Sequence, residues 1–450
     1  VKVVLASHHY PPDNTAGVEL IVERAACWLV RKGYTVEVVC VGKIDSPTHL
    51  AVQSDERDGV LVHRLGLKLW GQGIHLGLRY RDEAVRAWLE DYFERARPDL
   101  VHSQSSYLLT ASAIEAAKGC GIPVVVSLND YWFTCPRITL LRSNGAICSP
   151  PVSAATCTWC LMAERRRYHA LDRVATKLGS RARSILPVDP GLLAQIEDRR
   201  AYLDRVLRTV DRIITPGLVA YDQLMAAGFS AEQIQLVRSG LDVSHWTAAP
   251  RREGVAPFRV GYLGQLAPHK GVAVLVQAFQ KLRPGVTPPE LRIYGDARSF
   301  PQYAAALQKA AAGNPRIQFL GRYDNREVGN ILADLDVLVV PSLWHEVSPL
   351  VIKEAFAAGV PVVASDLRNL AFQVSNEVDG LLFAAGDASD LARQLERLID
   401  EPPLRRRLAA GVRPPPTLDD EMSDVEDVYR RVLGGSATPK VASFSGGDRS

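Results

Sequence analysis

Two carboxylates, Glu346 and Glu354, interrupt an otherwise apolar stretch, VLVVPSLWHEVSPLVIKEAFAAGVPVVAS, at residues 337–365. Val337–Val340 is a short continuous apolar run, as expected of a strand covered on both faces. Ser348 stands where a helix N-cap is wanted, and Pro349 where the first turn tolerates proline. The helix Pro349–Ala358 is apolar almost all round, so burial is expected, and Gly359 is placed to end it before a strand at Val360–Ala364. A carboxylate on a buried helix is costly unless it is bonded to something. The helix N-terminus offers free N–H groups and a partial positive charge, which suit an anion. The unit therefore reads as a phosphate site between two acids, at the carboxyl ends of parallel strands where open α/β sheets bind ligands. On spacing alone, a pair of solvated or salt-bridged acids stands open beside that reading.

The same arrangement of strand, loop and helix start recurs twice upstream. After Phe258–Leu263 the loop GQLAPHKG (264–271) carries Gly264, Gln265, His269 and Lys270, and after Leu291–Tyr294 come Gly295 and Asp296. Lys270 is a point charge suited to a diphosphate, and Gln265 is a neutral donor. Taken singly, Lys270 reads as an ordinary surface lysine. Three such loops at one sheet edge should converge on a single ligand, with basic and helix-end groups meeting phosphate and a carboxylate accepting hydroxyl protons.

A second group of reactive side chains lies in a stretch that loses regular patterning, from Asn129 to about Pro190. Cys135, Cys148, Cys157 and Cys160 are spaced C-x12-C-x8-C-x2-C. Four thiols with one C-x-x-C pair suit a tetrahedral structural zinc site; an iron–sulfur cluster or inert free thiols are the other readings. Cys27 and Cys40 fall in a helix and a strand as core residues, and Cys120 in a loop. A basic stretch at 164–183, with Arg173, Lys177, Arg181 and Arg183, reads either as a solvated helix face or as a surface for anionic lipid headgroups or a polyanionic acceptor.

The elements that position these groups alternate. Strands at Lys2–Ser7, Thr35–Val41, Val60–Leu65, Asp99–Gln104 and Ile122–Leu128 are separated by helices at Val18–Arg31, Asp82–Glu94 and Leu108–Lys118. Ala16–Gly17 at the entry to the first helix is a weak phosphate signal. Strand–helix alternation resumes after Phe258, and a last amphipathic helix spans Asp419–Val432. This predicts an α/β protein with doubly wound parallel sheets. The expected division is 1–243, with the cysteine-rich loop 129–190; 244–416; a helix at 417–434; and a disordered, small polar tail at 435–450.

The chain has 450 residues, 47% hydrophobic and 23% charged, an ordinary globular balance with room for two or three domains. A formal net charge of +3 is too small to point to nucleic acid as a general partner. No apolar run is long enough to span a bilayer, and no apolar leader follows Val1. The expectation is a cytoplasmic protein, with peripheral contact at the cytoplasmic membrane face if the basic stretch binds lipid. The absent initiator methionine reads as a trimmed or engineered start. Seven cysteines, an odd number without a secretion signal, suit a reducing compartment rather than a disulfide framework.

Over nearly the whole chain, from Val1 to about Gly434, the sequence resembles a retaining glycosyltransferase of family GT4 with the GT-B fold. The motif that carries this is E-x7-E, here Glu346 and Glu354, in HEVSPLVIKEAFAAGVPVVAS. GQLAPHKG, RIYGD (292–296), FLGRYDNREV (319–328), RSGLD (238–242) and the N-terminal PPDNTAGVELIVERAACWLVRKGYTVEVV are consistent with it. The resemblance implies two Rossmann-like domains facing across a cleft, an N-terminal acceptor domain and a C-terminal nucleotide-sugar domain, with the last helix crossing back onto the first. It implies transfer of a sugar from a UDP- or GDP-sugar to a glycan, lipid-linked or small-molecule acceptor, as in polysaccharide biosynthesis, without a catalytic metal. By position, Glu354 would bind ribose hydroxyls and Glu346 hydroxyls of the donor sugar. Backbone N–H groups at Ser348–Leu350, with Val347 and Pro349 in the same loop, would hold the distal phosphate. Lys270 and Gln265 would stabilise the leaving diphosphate, and Gly17, Gly264 and Gly295 would let backbone approach it. Any zinc at the cysteines would be structural. Two positions depart from the family. Gln265 stands where arginine is usual, and Asn129, followed by Asp130, stands where a histidine usually opens the loop. Asn129 can hydrogen-bond a sugar hydroxyl but cannot take a proton, so Asp130 becomes a candidate for an acceptor-side role. A catalytically silent sugar-nucleotide-binding protein, or an epimerase or phosphorylase on the same scaffold, is the alternative.

Overall fold

Apolar β-branched runs separated by amphipathic helices build two parallel sheets. A computed structural model describes residues 1–13, 17–69, 76–149, 151–164, 168, 188–244, 246, 257–283 and 288–434. Most of the basic stretch 164–183, the Pro/Arg/Gly-rich segment 247–256 and the tail 435–450 lie outside the described residues.

The first unit runs β1 (Lys2–Ser7), α1 (Gly17–Arg31), β2 (Thr35–Lys43), β3 (Ala51–Arg57), β4 (Val60–Gly66), α2 (Glu83–Ala96), β5 (Leu100–Ser103), α3 (Ser112–Gly119), β6 (Val124–Ser127), α4 (Ala154–Met162), α5 (Pro190–Leu207), β7 (Arg212–Thr215), α6 (Leu218–Ala226) and β8 (Ile234–Leu236). Its strands form one sheet in the order β3-β4-β2-β1-β5-β6-β7-β8, parallel except for the edge pair β3–β4. The second unit runs β9 (Arg259–Leu263), α7 (Val272–Lys281), β10 (Glu290–Tyr294), α8 (Pro301–Ala311), β11 (Ile317–Gly321), α9 (Val328–Ala333), β12 (Val337–Val340), α10 (Leu350–Ala357), β13 (Val362–Ser365), α11 (Arg368–Gln373), β14 (Gly380–Phe383), α12 (Ala388–Asp400) and α13 (Pro402–Gly411). Its sheet, order β11-β10-β9-β12-β13-β14, is parallel throughout. Both orders reverse direction about a central strand, as doubly wound sheets do, and that reversal leaves a crevice at the carboxyl edge.

The chain then returns. Thr417 caps α14 (Leu418–Val432) in a capping box with Asp420. Leu241 N–H donates to Pro416 O, and Leu418 N–H to Leu241 O, so the returning strand crosses where the first unit ended. The apolar face of α14, Met422, Val425, Val428 and Tyr429, packs with Val3, Leu5, Val22, Trp28 and Val38 of the first unit. Its polar groups are bonded there as well: Trp28 donates to Asp419, Tyr34 to Glu426 at 2.8 Å, and the Tyr429 hydroxyl meets His102 Nδ1 at 2.6 Å.

Several expected elements shift for identifiable reasons. The helix expected from Leu108 begins only at Ser112, because Thr110 holds a left-handed φ of 63° that no helix accommodates. β3 escaped notice because AVQSDER lies almost wholly in solvent and shows no apolar alternation. α5 opens at Pro190 behind an Asp189 cap, at the end of the stretch that loses regular patterning.

Tyr429 is fully buried under this return. Tyr429→Ala should cost about 3–5 kcal/mol in unfolding free energy. Denaturant titration checks this; an unchanged midpoint would mean that α14 is not part of the first unit's core.

Candidate active site

The carboxyl edge of the second sheet is drawn together by backbone contacts among its loops. Leu266 N–H donates to Asp296 O at 2.9 Å, joining the loops after β9 and β10, and Leu343 N–H donates to His269 O at 2.8 Å, joining those after β9 and β12. Two glycines permit the approach. Gly271 has φ +72°, and a Cβ there would lie 1.7 Å from Pro341 O; a Cβ on Gly295 would lie 2.3 Å from Gly264 O. Gly264 itself has φ +148°, and the Tyr262 hydroxyl fixes its loop by donating to Gln265 O at 2.8 Å.

Glu346 and Lys270 meet at the centre of this edge. Lys270 Nζ lies 2.7 and 2.9 Å from the two carboxylate oxygens, and the Ser342 hydroxyl donates to Oε1 at 2.7 Å. Burial alone would raise the Glu346 carboxyl, but the Lys270 charge and these hydrogen bonds outweigh it and hold it below its ordinary value. Lys270 also lies over the Trp344 ring, 5.4 Å from its centroid. The ammonium expected at a diphosphate is thus held by the neighbouring acid.

Glu354 is different. Among the described residues its carboxylate has no hydrogen bond or ion pair, and burial raises its pKa to about 7, with Arg24 and Lys353 pulling the other way. Half-buried, on α10, it is a carboxylate left with acceptor capacity to spare. The cap of α10 corrects the sequence expectation. Pro349, not Ser348, occupies the N-cap position, and Ser348 Oγ instead accepts from Lys353 Nζ at 2.6 Å. Pro349 has no N–H, so within Ser348–Leu350 only Ser348 and Leu350 can offer one. The first turn of α10 still leaves its N–H groups without helical partners.

The first unit faces this edge with Asn129, and Asp130 follows it in the chain. Asn129 Nδ2 donates to the Gln104 carbonyl at 3.0 Å and to Gln104 Oε1 at 3.2 Å, which leaves Oδ1 as its open atom. Asp130 accepts from Trp132 N–H at 2.8 Å and from the Ser105 hydroxyl at 3.2 Å, while burial raises its pKa. Both its oxygens are thus engaged within its own unit. A cavity between the units is lined by Arg24, Gln104, Asn129, Leu350 and Glu421, so Asn129 and the start of α10 share one space. Gly17 opens α1 with nothing within 4 Å of where its Cβ would be.

Sequence reasoning missed the residue that joins the halves. Asn369, fully buried on α11, donates to Glu346 O at 2.7 Å and to the Tyr131 hydroxyl at 3.1 Å, and accepts from Val219 N–H at 2.9 Å. It ties the Glu346 loop to both the loop after β6 and α6 of the first unit. No pattern marks it; only its place beside β13 could have drawn notice. Arg24, on α1 across from Glu354 and Glu421, was missed as well. The four cysteines come to one small cavity away from this cleft. Among the described residues, no group of three or more His, Cys, Asp or Glu side chains stands ready to hold a metal ion, so the expected zinc set is not preformed. No helix among them is long and apolar enough to cross a membrane.

A family model described as Glycosyl transferase 4-like domain matches residues 16–240, and one described as Glycosyl transferases group 1 matches residues 257–401. A glycogen synthase from Mycobacterium tuberculosis is 24% identical, with 98% of this chain and 97% of that protein covered. A phosphatidyl-myo-inositol mannosyltransferase from Mycobacterium leprae is 27% identical over 77% of this chain and 97% of its own length. Among solved structures, sucrose-phosphate synthase from Thermosynechococcus elongatus superposes with a TM-score of 0.65 at 18% identity, covering 97% of this chain and all of that one. HepE from Anabaena, solved in complex with UDP and glucose, gives 0.63 at 17% identity over 95% and 98% of the two chains.

Gly271→Ala should force the loop after β9 off Pro341 and move Lys270 with it. The expected result is a loss of more than about 1 kcal/mol of stability. Thermal unfolding checks it; a wild-type midpoint would show that the loop does not need this conformation.

Proposed function

The chain belongs to the glycosyl transferase 4-like family and is a glycosyltransferase of the GT-B type that uses nucleotide sugars; from that premise we propose that it moves a hexose from a UDP-sugar to a hydroxyl acceptor with retention of anomeric configuration. The observation that carries this reading is the contrast between the two acids of the second unit. Glu346 is bonded to Lys270 and Ser342, whereas Glu354 has acceptor capacity to spare beside it.

In this reading the ribose diol donates to Glu354, and a hydroxyl of the donor sugar donates to Glu346. Lys270 turns from Glu346 to the diphosphate, where its charge meets the negative charge that grows as the bond to the sugar breaks. The N–H groups of Ser348 and Leu350 and the first turn of α10 take the distal phosphate. With Gln265 neutral, these two sources supply most of the phosphate stabilisation. The bond from the anomeric carbon to the diphosphate oxygen breaks while the acceptor oxygen bonds to the same face, and the acceptor's proton passes to the departing diphosphate. Asn129 Oδ1 accepts from a sugar hydroxyl, and Asp130 shapes the loop that carries Asn129. UDP as the nucleotide is supported by HepE, solved with UDP and with UDP-glucose. The acceptor, a glycan, a lipid-linked sugar or a small molecule, faces the first unit, and closure of the units over it excludes water.

A panel of UDP-, GDP- and ADP-sugars followed by nucleotide release, with the anomer of the transferred sugar read by NMR, tests this. Turnover of a UDP-sugar with a retained anomer is expected. An inverted product, an epimerised donor, or binding without turnover in any acceptor would contradict it.

Glu354 gives a pH signature. Its raised pKa of about 7 keeps it protonated below neutrality, and the ionised, accepting form is about ten times more abundant at pH 8 than at pH 6. The diphosphate of a nucleotide sugar does not titrate in this window, so donor affinity should rise with pH through 7. Glu354→Gln should weaken binding about tenfold or more at pH 8 and flatten the profile; calorimetry showing an unchanged slope would refute the assignment to ribose.

A further inference from the structure

Gly217 holds the N-cap position of α6 and offers no side chain to the N–H groups of the first turn. The bond that a capping side chain would make comes instead from the other unit. Asn369 Oδ1 accepts from Val219 N–H at 2.9 Å, across 150 positions of chain. A side chain at Gly217 would prevent this. Its φ of −129° is one that any residue adopts, so the backbone does not call for glycine. The close approach does: a Cβ there would lie 2.8 Å from Asn369 Nδ2 and 2.8 Å from Val347 O. Asn369 is fully buried, and its amide is used at both ends. Nδ2 carries two hydrogens; one goes to Glu346 O at 2.7 Å, in its own unit, and the other to the Tyr131 hydroxyl at 3.1 Å, in the first. The amide stands only one way round, because Val219 N–H needs an acceptor and Glu346 O a donor. Two of these three bonds therefore exist only while the units are docked. The third holds the backbone of the acid that meets the donor sugar in the reading above. With the units apart, the cap and the Tyr131 bond are lost together, and nothing on the first unit keeps the amide turned toward Glu346 O.

We propose that Asn369 is a positioning residue for sugar transfer: by capping α6 across the cleft, it fixes Glu346 only when the two units are docked. The inference rests on the transfer proposed above, in which Glu346 accepts from a hydroxyl of the donor sugar. Asn369 itself touches no substrate. Its effect passes through the Glu346 backbone, so it governs turnover of a bound UDP-sugar. The hold on UDP, which lacks the donor sugar, stays with Glu354, Lys270 and the first turn of α10. One position earlier, Arg368 Nε donates to Asp222 Oδ2 at 2.9 Å and spans the same two helices. That pair is exposed, and a solvated ion pair constrains its surroundings little. The buried amide, with a bond to each of three segments, is what carries the position of one unit to the other.

The test compares Asn369→Ala, Gly217→Ala and Arg368→Ala in the full chain. Gly217→Ala leaves the amide intact and wedges the units apart, so it decides the matter if Asn369→Ala does not fold. In both, kcat for the UDP-sugar should fall about tenfold or more, while the Kd of UDP by calorimetry stays within about twofold. Hydrogen exchange at 217–222, read by mass spectrometry, should quicken about tenfold, roughly the worth of one lost cap. Arg368→Ala should leave kcat, UDP affinity and exchange near their wild-type values. Wild-type kcat in the first two variants, unchanged exchange at 217–222, a UDP affinity that falls as far as kcat does, or an equal loss of kcat in Arg368→Ala would each overturn the proposal. A wild-type chain that turns over no UDP-sugar would instead sink the transfer reading, and the exchange measurement, which needs no turnover, still decides whether Asn369 caps α6.

Discussion

A charged pair under the cleft constrains most of what surrounds it. Glu346 is nearly inaccessible to solvent, and a carboxylate there persists only because Lys270 and Ser342 bond it. Buried pairs of this kind contribute little net stability, because desolvating two charges offsets most of their attraction, yet breaking one by removing a partner is expensive. The pair therefore constrains its neighbours more than it stabilises them. It requires that the loops after β9 and β12 touch, that the residue between Lys270 and α7 be a glycine in a left-handed conformation, and that the backbone of Glu346 be held independently of its side chain. Asn369 meets the last requirement.

The same contacts connect the Glu346 loop to the domain arrangement. Asn369 holds the Glu346 carbonyl with one hand and Tyr131 and Val219 with the other, so Glu346 is positioned against the first unit as much as by its own sheet. The returning helix α14 adds a second tie, where Glu421 accepts from Gly240 N–H at 2.7 Å close to Lys353. A nucleotide sugar entering the cleft would meet a surface whose two walls are already registered. Binding energy would then go into exchanging partners at Lys270 rather than into assembling the site.

What could be read from the chain alone follows from how strongly burial writes itself into a pattern. β12 and β14 are covered on both faces, and their bounds fall where the apolar runs fall. The acids Glu346 and Glu354 stood out because they interrupt such a run. The cap of α10 was misread because Ser348 and Pro349 are both good at starting helices, and the choice between them was made by Lys353, which takes the serine hydroxyl. Asn369 was invisible because its three bonds go to residues 23, 150 and 238 positions away, and a six-residue helix leaves no periodicity. The cysteines announced a cluster by spacing, and the fold does bring them to one cavity. The Arg200 guanidinium that donates to Cys157 Sγ comes from 43 positions away, and no spacing rule connects the two.

The central claim is that Lys270 exchanges Glu346 for the donor diphosphate. A crystal structure of the chain with an intact UDP-sugar tests it most directly. The account predicts Lys270 Nζ within hydrogen-bonding distance of a phosphate oxygen, Glu346 accepting from a sugar hydroxyl, and Glu354 accepting from the ribose. A bound nucleotide sugar with the Lys270–Glu346 contact still at its present 2.7 Å, and no phosphate oxygen near the ammonium, would contradict it.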